Sequence, residues 1–233
     1  MILGILQPYL FPYVGYFQLI GAVDTLVIYD DVQWIKGGWI NRNRYLVEGQ
    51  SRYFTLPVGK KGFPKPINQC SFAPDIELHK QRILRQVQYN YRRAPHFEAV
   101  FSLLSACFAC KDDNVSRFLV NSLRLCCDYL GIATPFVLSS QIEKRNGLSG
   151  AEQVLEINRA LHASHYINPA GGTALYDASL FAERGVRLDF LRAREAPYRQ
   201  FEAAFRPALS IIDVMMFNAI DEISHLLKEY DLE

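Results

Sequence analysis

Ile2-Leu3-Gly4-Ile5-Leu6-Gln7-Pro8-Tyr9-Leu10-Phe11-Pro12-Tyr13-Val14-Gly15-Tyr16-Phe17, continued by Gln18-Leu19-Ile20 and then Val27-Ile28-Tyr29-Asp30-Asp31, decides how this chain is read. Ile2 to Leu6 is a short apolar strand. A turn of proline, aromatic and glycine residues follows, then an amphipathic helix over about 13–22, then a strand over 25–29 that ends in two adjacent carboxylates. Open α/β sheets bind ligands in the crevice beyond the carboxyl ends of their strands. Both the first turn and Asp30/Asp31 fall at such ends, so the start of the chain reads as the edge of an active site.

Working outward, 41–47 alternates as a strand and Glu48 to Ser51 turns into another over 52–58. From 76 to 130 the apolar period becomes helical, with helices expected at 76–91, 97–110 and 114–129, divided by Pro95 and capped at Asp112-Asp113-Asn114. Beyond Gly131 come a strand at 136–138, a helix at 149–161, a short strand at 166–167, a helix at 177–183 and a strand at 186–191. One last helix is expected from Ser210 to about Lys228, with Ser210 as its N-cap. Strands alternating with helices at both ends imply a mainly parallel sheet. The expectation is a three-layer α/β fold of Rossmannoid type, one domain over 1–233, with 76–130 as a helical insertion.

The chain has 233 residues, of which 50% are hydrophobic and 21% charged, values ordinary for a globular enzyme. Its opening apolar run is short, lacks a preceding basic region and is broken by Pro8 and Pro12, so neither a signal peptide nor a membrane span is expected, and the cytoplasm is the expected location. The net charge of +1 hides an asymmetry. From Lys36 to Arg93 there are 12 Lys/Arg and 3 Asp/Glu, a balance of +9, against 13 and 21 elsewhere, a balance of −8. A basic middle third suits an anionic partner such as a nucleotide, a sugar nucleotide, a phosphorylated metabolite or RNA, or it is a solvated basic face. The five cysteines form no framework. Cys107 and Cys110 share one apolar helical face, so buried thiols are expected rather than zinc.

The candidate site residues follow from position. Asp30 and Asp31 point opposite ways on an extended strand, so one faces the crevice as metal ligand, general base or hydroxyl acceptor; Asp30 is preferred. Gly15 either lets a ligand approach the helix start or makes a tight turn packed on the sheet. Gln7, Pro8, Tyr9, Tyr13 and Tyr16 line the first turn, the aromatic rings as stacking surfaces or as core. Arg42 and Arg44 share one strand face, where they grip an anion bidentately or stand exposed. Gly59-Lys60-Lys61-Gly62 lacks P-loop spacing but could form an anion-binding flap. Ser149-Gly150 follows a strand on the same sheet edge, as does Asn168-Pro169-Ala170-Gly171-Gly172. The latter, running on to Tyr176 and Asp177, is the second expected ligand loop, joined by Tyr198 and Gln200. Asp213 is expected to serve the N-terminus of the last helix. The histidines form no metal pattern, and no nucleophile elbow or dinucleotide fingerprint occurs.

Gln7-Pro8 with Phe11-Pro12, Gly15-Tyr16-Phe17, Asp24, Tyr29-Asp30-Asp31-Val32-Gln33 and Gly38-Trp39-Ile40-Asn41-Arg42-Asn43 together resemble the opening of the WbqC-like protein family. Leu155-Glu156-Ile157, Tyr166-Ile167, Tyr176-Asp177, Pro197-Tyr198, Gln200 and Leu209-Ser210-Ile211-Ile212-Asp213 resemble its C-terminal half. That resemblance implies a bacterial protein associated with O-antigen and other surface polysaccharides. More distantly, the order strand, proline turn, Tyr13-Val14-Gly15-Tyr16, helix, Asp24, strand is similar to the opening of HIGH-motif nucleotidylyltransferases and pantothenate synthetase-like ligases. Those enzymes carry histidines where Tyr13 and Tyr16 stand here. A phenol donates a hydrogen bond to a phosphoryl oxygen but supplies no positive charge at neutral pH.

The expected function is therefore group transfer in lipopolysaccharide or amino-sugar biosynthesis, of nucleotidyl, acyl, glycosyl or adenylate-forming type, on a nucleotide-activated anionic substrate. Asp30, Asp31 and Tyr16 are the expected catalytic groups, with Mg²⁺ accompanying a nucleoside triphosphate or nucleotide sugar. The competing readings are a non-catalytic partner of a glycan-assembly enzyme and an RNA-binding protein.

Overall fold

The computed structural model describes residues 1–59, 63–145, 147–148, 150–201 and 204–233. The expected flap at 59–62 and the Ser149-Gly150 turn therefore fall partly outside the described residues. Strand β1 (Ile2–Leu6) lies inside a six-stranded sheet with β2 (Thr25–Ile28), β5 (Phe136–Leu138), β6 (His165–Pro169), β7 (Arg187–Ala193) and β8 (Tyr230–Leu232). Their order is β5-β2-β1-β6-β7-β8; all neighbours are parallel except β7 and β8. The chain builds outward from β1 on one side through β2 and β5, then crosses to build β6, β7 and β8 on the other. That reversal is the switch point at which a doubly wound sheet opens a crevice at its carboxyl edge.

Two apolar layers cover the sheet, because side chains alternate between its faces. Leu3, Ile5, Val27 and Tyr166 pack with α5 (Gly150–Ala160) and α6 (Ala178–Ala182). Leu26, Ile28, Ile167 and Leu191 join the larger cluster with α1 (Val14–Ala22) and α7 (Ile211–Phe217). The result is a three-layer, Rossmann-like α/β fold. Helix α1 is buried along Val14–Ile20 and therefore apolar nearly all round, as a central helix must be. It lies so close to β1 that a Cβ on Gly4 would stand 2.7 Å from Leu19 Cδ2. Its buried Gln18 amide donates to the carbonyls of Leu226 (2.8 Å) and Glu229 (2.9 Å), tying α1 to the C-terminal elements.

Between β2 and β5 the chain forms the antiparallel hairpin β3 (Arg42–Val47)–β4 (Gln50–Thr55), then α2 (Ile76–Tyr91), α3 (Phe97–Phe108) and α4 (Val115–Leu130). Asn114 caps α4 by accepting from Arg117 N at 3.0 Å, and Gly131 closes it in the left-handed conformation. Cys107, Cys126 and Cys127 are buried among these helices as free thiols.

The last helix departs from expectation. It is two helices, α7 and α8 (Ile220–Leu226), because Asn218 takes an extended conformation and turns its amide back onto Val214 O at 2.8 Å. Glu222 then accepts from Ala219 N at 2.7 Å and starts α8. The break leaves room for β8, an edge strand held on β7 by the Arg192–Glu233 and Arg194–Asp231 pairs. Among the described residues no helix is long and apolar enough to cross a membrane.

Candidate functional site

A cleft of about 480 Å³ runs from the carboxyl ends of β2 and β5 along the edge strand β5 as far as Phe136, between that strand and residues 116–124 of α4. Asp30, Ser140, Asn68, Asn121, Arg117 and Arg124 are among the residues that line it. Asp30 leaves the end of β2 and is 2% exposed. Both of its oxygens are held by Ser140, from the backbone N–H at 3.0 Å and from Oγ at 2.7 Å. Its backbone carbonyl accepts from Asn68 N at 2.8 Å, which brings the loop before α2 onto the cleft wall. A buried carboxylate satisfied by two neutral donors keeps lone pairs for a third partner.

Asp31 goes elsewhere, as alternation requires. Lys144 Nζ donates to Asp31 Oδ2 at 2.5 Å and to both oxygens of Ser139 at 2.6 Å. Asp31 is thus the clasp that fixes the segment after β5, with Ser139 fully buried beneath it. The two carboxylates do not converge on one point. Among the described residues no group of three or more His, Cys, Asp and Glu is arranged to hold a metal ion. A Mg²⁺ here would have to arrive with phosphates and use one carboxylate, the usual arrangement for that ion.

Helix α4 brings two arginines, Arg117 and Arg124, to the cleft wall. Arg117 forks onto Asp112 through Nε (2.6 Å) and Nη2 (2.9 Å), which leaves its charge largely balanced. Arg124 has no carboxylate partner among the described residues and sits with its guanidinium carbon 6.0 Å from the Phe136 ring centre. Of the two, Arg124 is the cation available to a ligand.

The remaining sequence candidates divide. Tyr16 is buried, and its hydroxyl donates to Gln7 O at 2.8 Å, holding the first turn closed. Gly15 is demanded by packing, since a Cβ there would lie 2.4 Å from the Tyr13 ring and 2.7 Å from Ala193 Cβ. Tyr9 and Tyr13 stay partly accessible beside a second, mostly apolar pocket that Pro12 and Arg44 also line, and Pro8 is buried just before Tyr9. Burial and the Glu195 carboxylate raise the Tyr13 pKa, so its phenol stays a neutral donor. Arg42 donates to the carbonyls of Gly38 (3.2 Å) and Gly37, and so is committed to its own turn.

The loop after β6 holds itself together. Tyr166 donates to Asn168 Oδ1 at 2.8 Å, and a Cβ on Gly172 would collide with Asn168 Nδ2 at 2.0 Å, whereas Gly171 has open space. Tyr176 packs edge-on against Tyr166 and Phe181, and Asp177 caps α6 by accepting from Ser179 N at 2.9 Å.

Tyr198 and Gln200 are drawn into a different, closed network. Tyr198 Oη and Gln200 Nε2 each donate to Asp213 Oδ2 at 2.7 Å, and Tyr91 Oη donates to Oδ1 at 2.7 Å. Asp213 is fully buried. Burial raises its pKa against the pull of these three donors, and burial followed by the Asp213 charge raises those of Tyr91 and Tyr198.

Sequence reasoning missed Ser140, Asn68, Asn121 and Arg124. Ser139-Ser140 stands directly after the expected strand at 136–138, so the rule that singled out Asp30 would have reached it. Arg124 lies inside an amphipathic helix and carries no local signal.

The WbqC-like protein family model matches residues 7–225, nearly the whole chain. The chain is also 30% identical over 231 residues to the uncharacterised protein Rv1507c of Mycobacterium tuberculosis, covering 97% of this chain and 96% of that one. No solved structure matches.

Proposed function

The chain belongs to the WbqC-like protein family, and from that premise we propose that it is a cytoplasmic transferase of surface-polysaccharide assembly. Its substrate is a nucleotide-activated, anionic sugar or acyl donor, bound in the cleft between β5 and α4. One observation carries the reading: the buried carboxylate of Asp30 shares a cleft with the guanidinium of Arg124, which has no carboxylate partner among the described residues. Asn68 and Asn121 add amide donors and acceptors on the same walls. This is a few directed polar groups converging in a concave site, the usual make-up of a small-molecule pocket.

In this reading Arg124 holds the phosphate of the donor and offsets the charge that grows on it as the bond to the transferred group breaks. Asp30 accepts the proton of the attacking hydroxyl or amine while the new bond to the transferred group forms. The nucleotide phosphate leaves with the bonding pair, still held by Arg124. Ser140 orients the carboxylate, and the Asp31–Lys144 clasp holds the Ser139-Ser140 segment in place.

Thermal unfolding in the presence of nucleoside triphosphates and nucleotide sugars, with and without Mg²⁺, tests this. A ligand at about 100 times its Kd adds about 2.7 kcal/mol to the folded state. The expected result is a raised midpoint with at least one nucleotide species, abolished in Arg124→Gln and Asp30→Asn. A rise that survives both substitutions, or none with any of these ligands, would overturn the assignment.

A further inference from the structure

The second pocket, of about 170 Å³, is lined by Tyr9, Pro12, Tyr13, Trp39, Arg44 and Ala208, among others. It is smaller than the roughly 300–1,000 Å³ of drug-sized ligand sites, so it suits a single ring. We infer that it binds the ring of an acidic sugar, with the apolar face of the ring on the aromatic walls and its carboxylate on Arg44.

The walls are built before any ligand arrives. Leu10 N donates to Trp39 O at 3.2 Å, which ties the Gly37-Gly38-Trp39 turn to the first turn. The Asn43 amide, 3% exposed, donates to Leu10 O (3.0 Å) and Phe11 O (2.8 Å), and Ser210 Oγ also donates to Phe11 O at 2.7 Å. Ser210 N reaches Arg44 O at 2.8 Å, and Ile211 N reaches Pro12 O at 2.8 Å. Three distant segments are thus fixed on one point. Two non-glycine residues at that point, Phe11 (φ 42°) and Ala208 (φ 55°), hold left-handed backbone conformations. Such conformations cost energy, survive only where the surroundings over-determine them, and cluster at ligand sites.

The chemistry of the walls selects the ligand. Arg44 donates through Nη2 to Ala208 O at 2.9 Å, while its buried Nε finds no acceptor among the described residues. It also lacks a carboxylate partner among the described residues. Its guanidinium carbon lies 5.5 Å from the Trp39 ring centre, and Trp39, 37% exposed, is stacked on Tyr53 at 6.1 Å. Arg44 lines the pocket, and a guanidinium without a carboxylate partner is best met by one. Asn43 has spent its amide on the backbone, so the pocket lacks the amide pairs that would read a nucleobase edge. Ring faces, the phenols of Tyr9 and Tyr13, and one guanidinium remain. Those match an apolar sugar face, hydroxyls and a single negative charge. That the pocket binds an acidic sugar rests on its own geometry and not on the transfer reading above.

The chain has two tryptophans, so a Trp34→Phe background leaves Trp39 as the sole indole reporter. Titration with glucuronate and N-acetylneuraminate is expected to give a saturable fluorescence change. Glucose should bind more weakly, and Arg44→Gln should weaken the acidic sugar by about tenfold or more, the loss expected for a hydrogen bond to a charged group. Tyr13→Ala should remove the response while leaving the thermal midpoint close to that of the parent. No saturable change with either acid up to about 50 mM, above the range of specific affinities, would overturn the inference. So would an equal response to glucose, a response to benzoate in place of the sugars, or an unchanged affinity in Arg44→Gln. Nucleotide-induced stabilisation, lost in Arg124→Gln, is measured on the same samples. Nucleotide binding without sugar binding sinks this pocket alone, and sugar binding without nucleotide binding sinks the transfer reading alone.

Discussion

Asp30 and Asp213 are both buried carboxylates, and their surroundings are opposite. Asp213, in the first turn of α7, is closed in by Tyr91, Tyr198 and Gln200, three donors that come from α2 and from the chain after β7. The Asp30 carboxylate, just past the end of β2, is hydrogen-bonded among the described residues by Ser140 alone, and it borders a cleft with Arg124. A saturated carboxylate in a closed network joins parts of a fold. One that keeps acceptor capacity beside an accessible cation is placed to meet a ligand. Burial alone therefore says little about function; what matters is whether the partners are used up.

The largest effect should come from breaking the closed network. Asp213→Ala strands the Tyr91 and Tyr198 hydroxyls, each costing about 1–3 kcal/mol when unsatisfied, while the Gln200 amide keeps Arg206 O at 3.1 Å. Allowing for partial relaxation, the expected loss is about 4 kcal/mol, or roughly 8–16 °C in midpoint for a chain of this size. Calorimetric scanning measures it, and a drop below about 1 kcal/mol would show that the network is not what holds α7 to α2.

The open carboxylate should behave the other way. Asp30→Asn preserves shape and is expected to lower transfer activity by about 100-fold, the lower end for loss of a general base. Its midpoint should move far less than that of Asp213→Ala. Steady-state kinetics and unfolding on one preparation separate the two, and a variant that unfolds while keeping its activity per folded molecule would reverse the comparison.

Gly15→Ala comes next in size. Its new methyl would press on the Tyr13 ring and Ala193, an overpacking worth about 2 kcal/mol. Because Tyr13 moves, acidic-sugar binding should weaken while nucleotide binding in the other cleft stays unchanged. Parallel titrations check this.

The smallest effects are in pH dependence, and they have opposite signs. The folded form of Asp213 holds its proton more tightly than the unfolded chain does, since burial raises its pKa. Its contribution is therefore complete below the unfolded value of about 3.9 and is lost as the pH rises through the folded value. Glu156 is held down to about 2 by Arg159 and Arg145, so its contribution is present above the unfolded value and fades as the pH falls toward 2. Urea unfolding from pH 3 to 8 should show the Asp213 limb flattened in Asp213→Asn and the acid limb flattened in Glu156→Gln.

Much of the fold was legible because its signals are local. The Ile2–Leu6 run, the proline turn, the helical period over 76–130 and the caps at Asn114 and Gly131 each lie within a few residues of what they determine. The break at Asn218 and strand β8 were not, since an asparagine folding back on its own helix and a three-residue edge strand carry no periodicity. At the site, strand ends pointed to Asp30, and alternation separated it from Asp31. The division of the other candidates between cleft, aromatic pocket and closed network depends on contacts such as Tyr198–Asp213 and Arg44–Ala208, which join loops to distant residues and leave no trace in spacing.

Hydrogen exchange with and without the nucleotide species that stabilises the protein most tests the central claim directly. The account predicts new protection at the end of β2 around 30–31, along 114–124 of α4 and at 136–141, and none at the Asp213 network. Protection confined to other surfaces, such as the 46–49 and 89–93 segments, would contradict it.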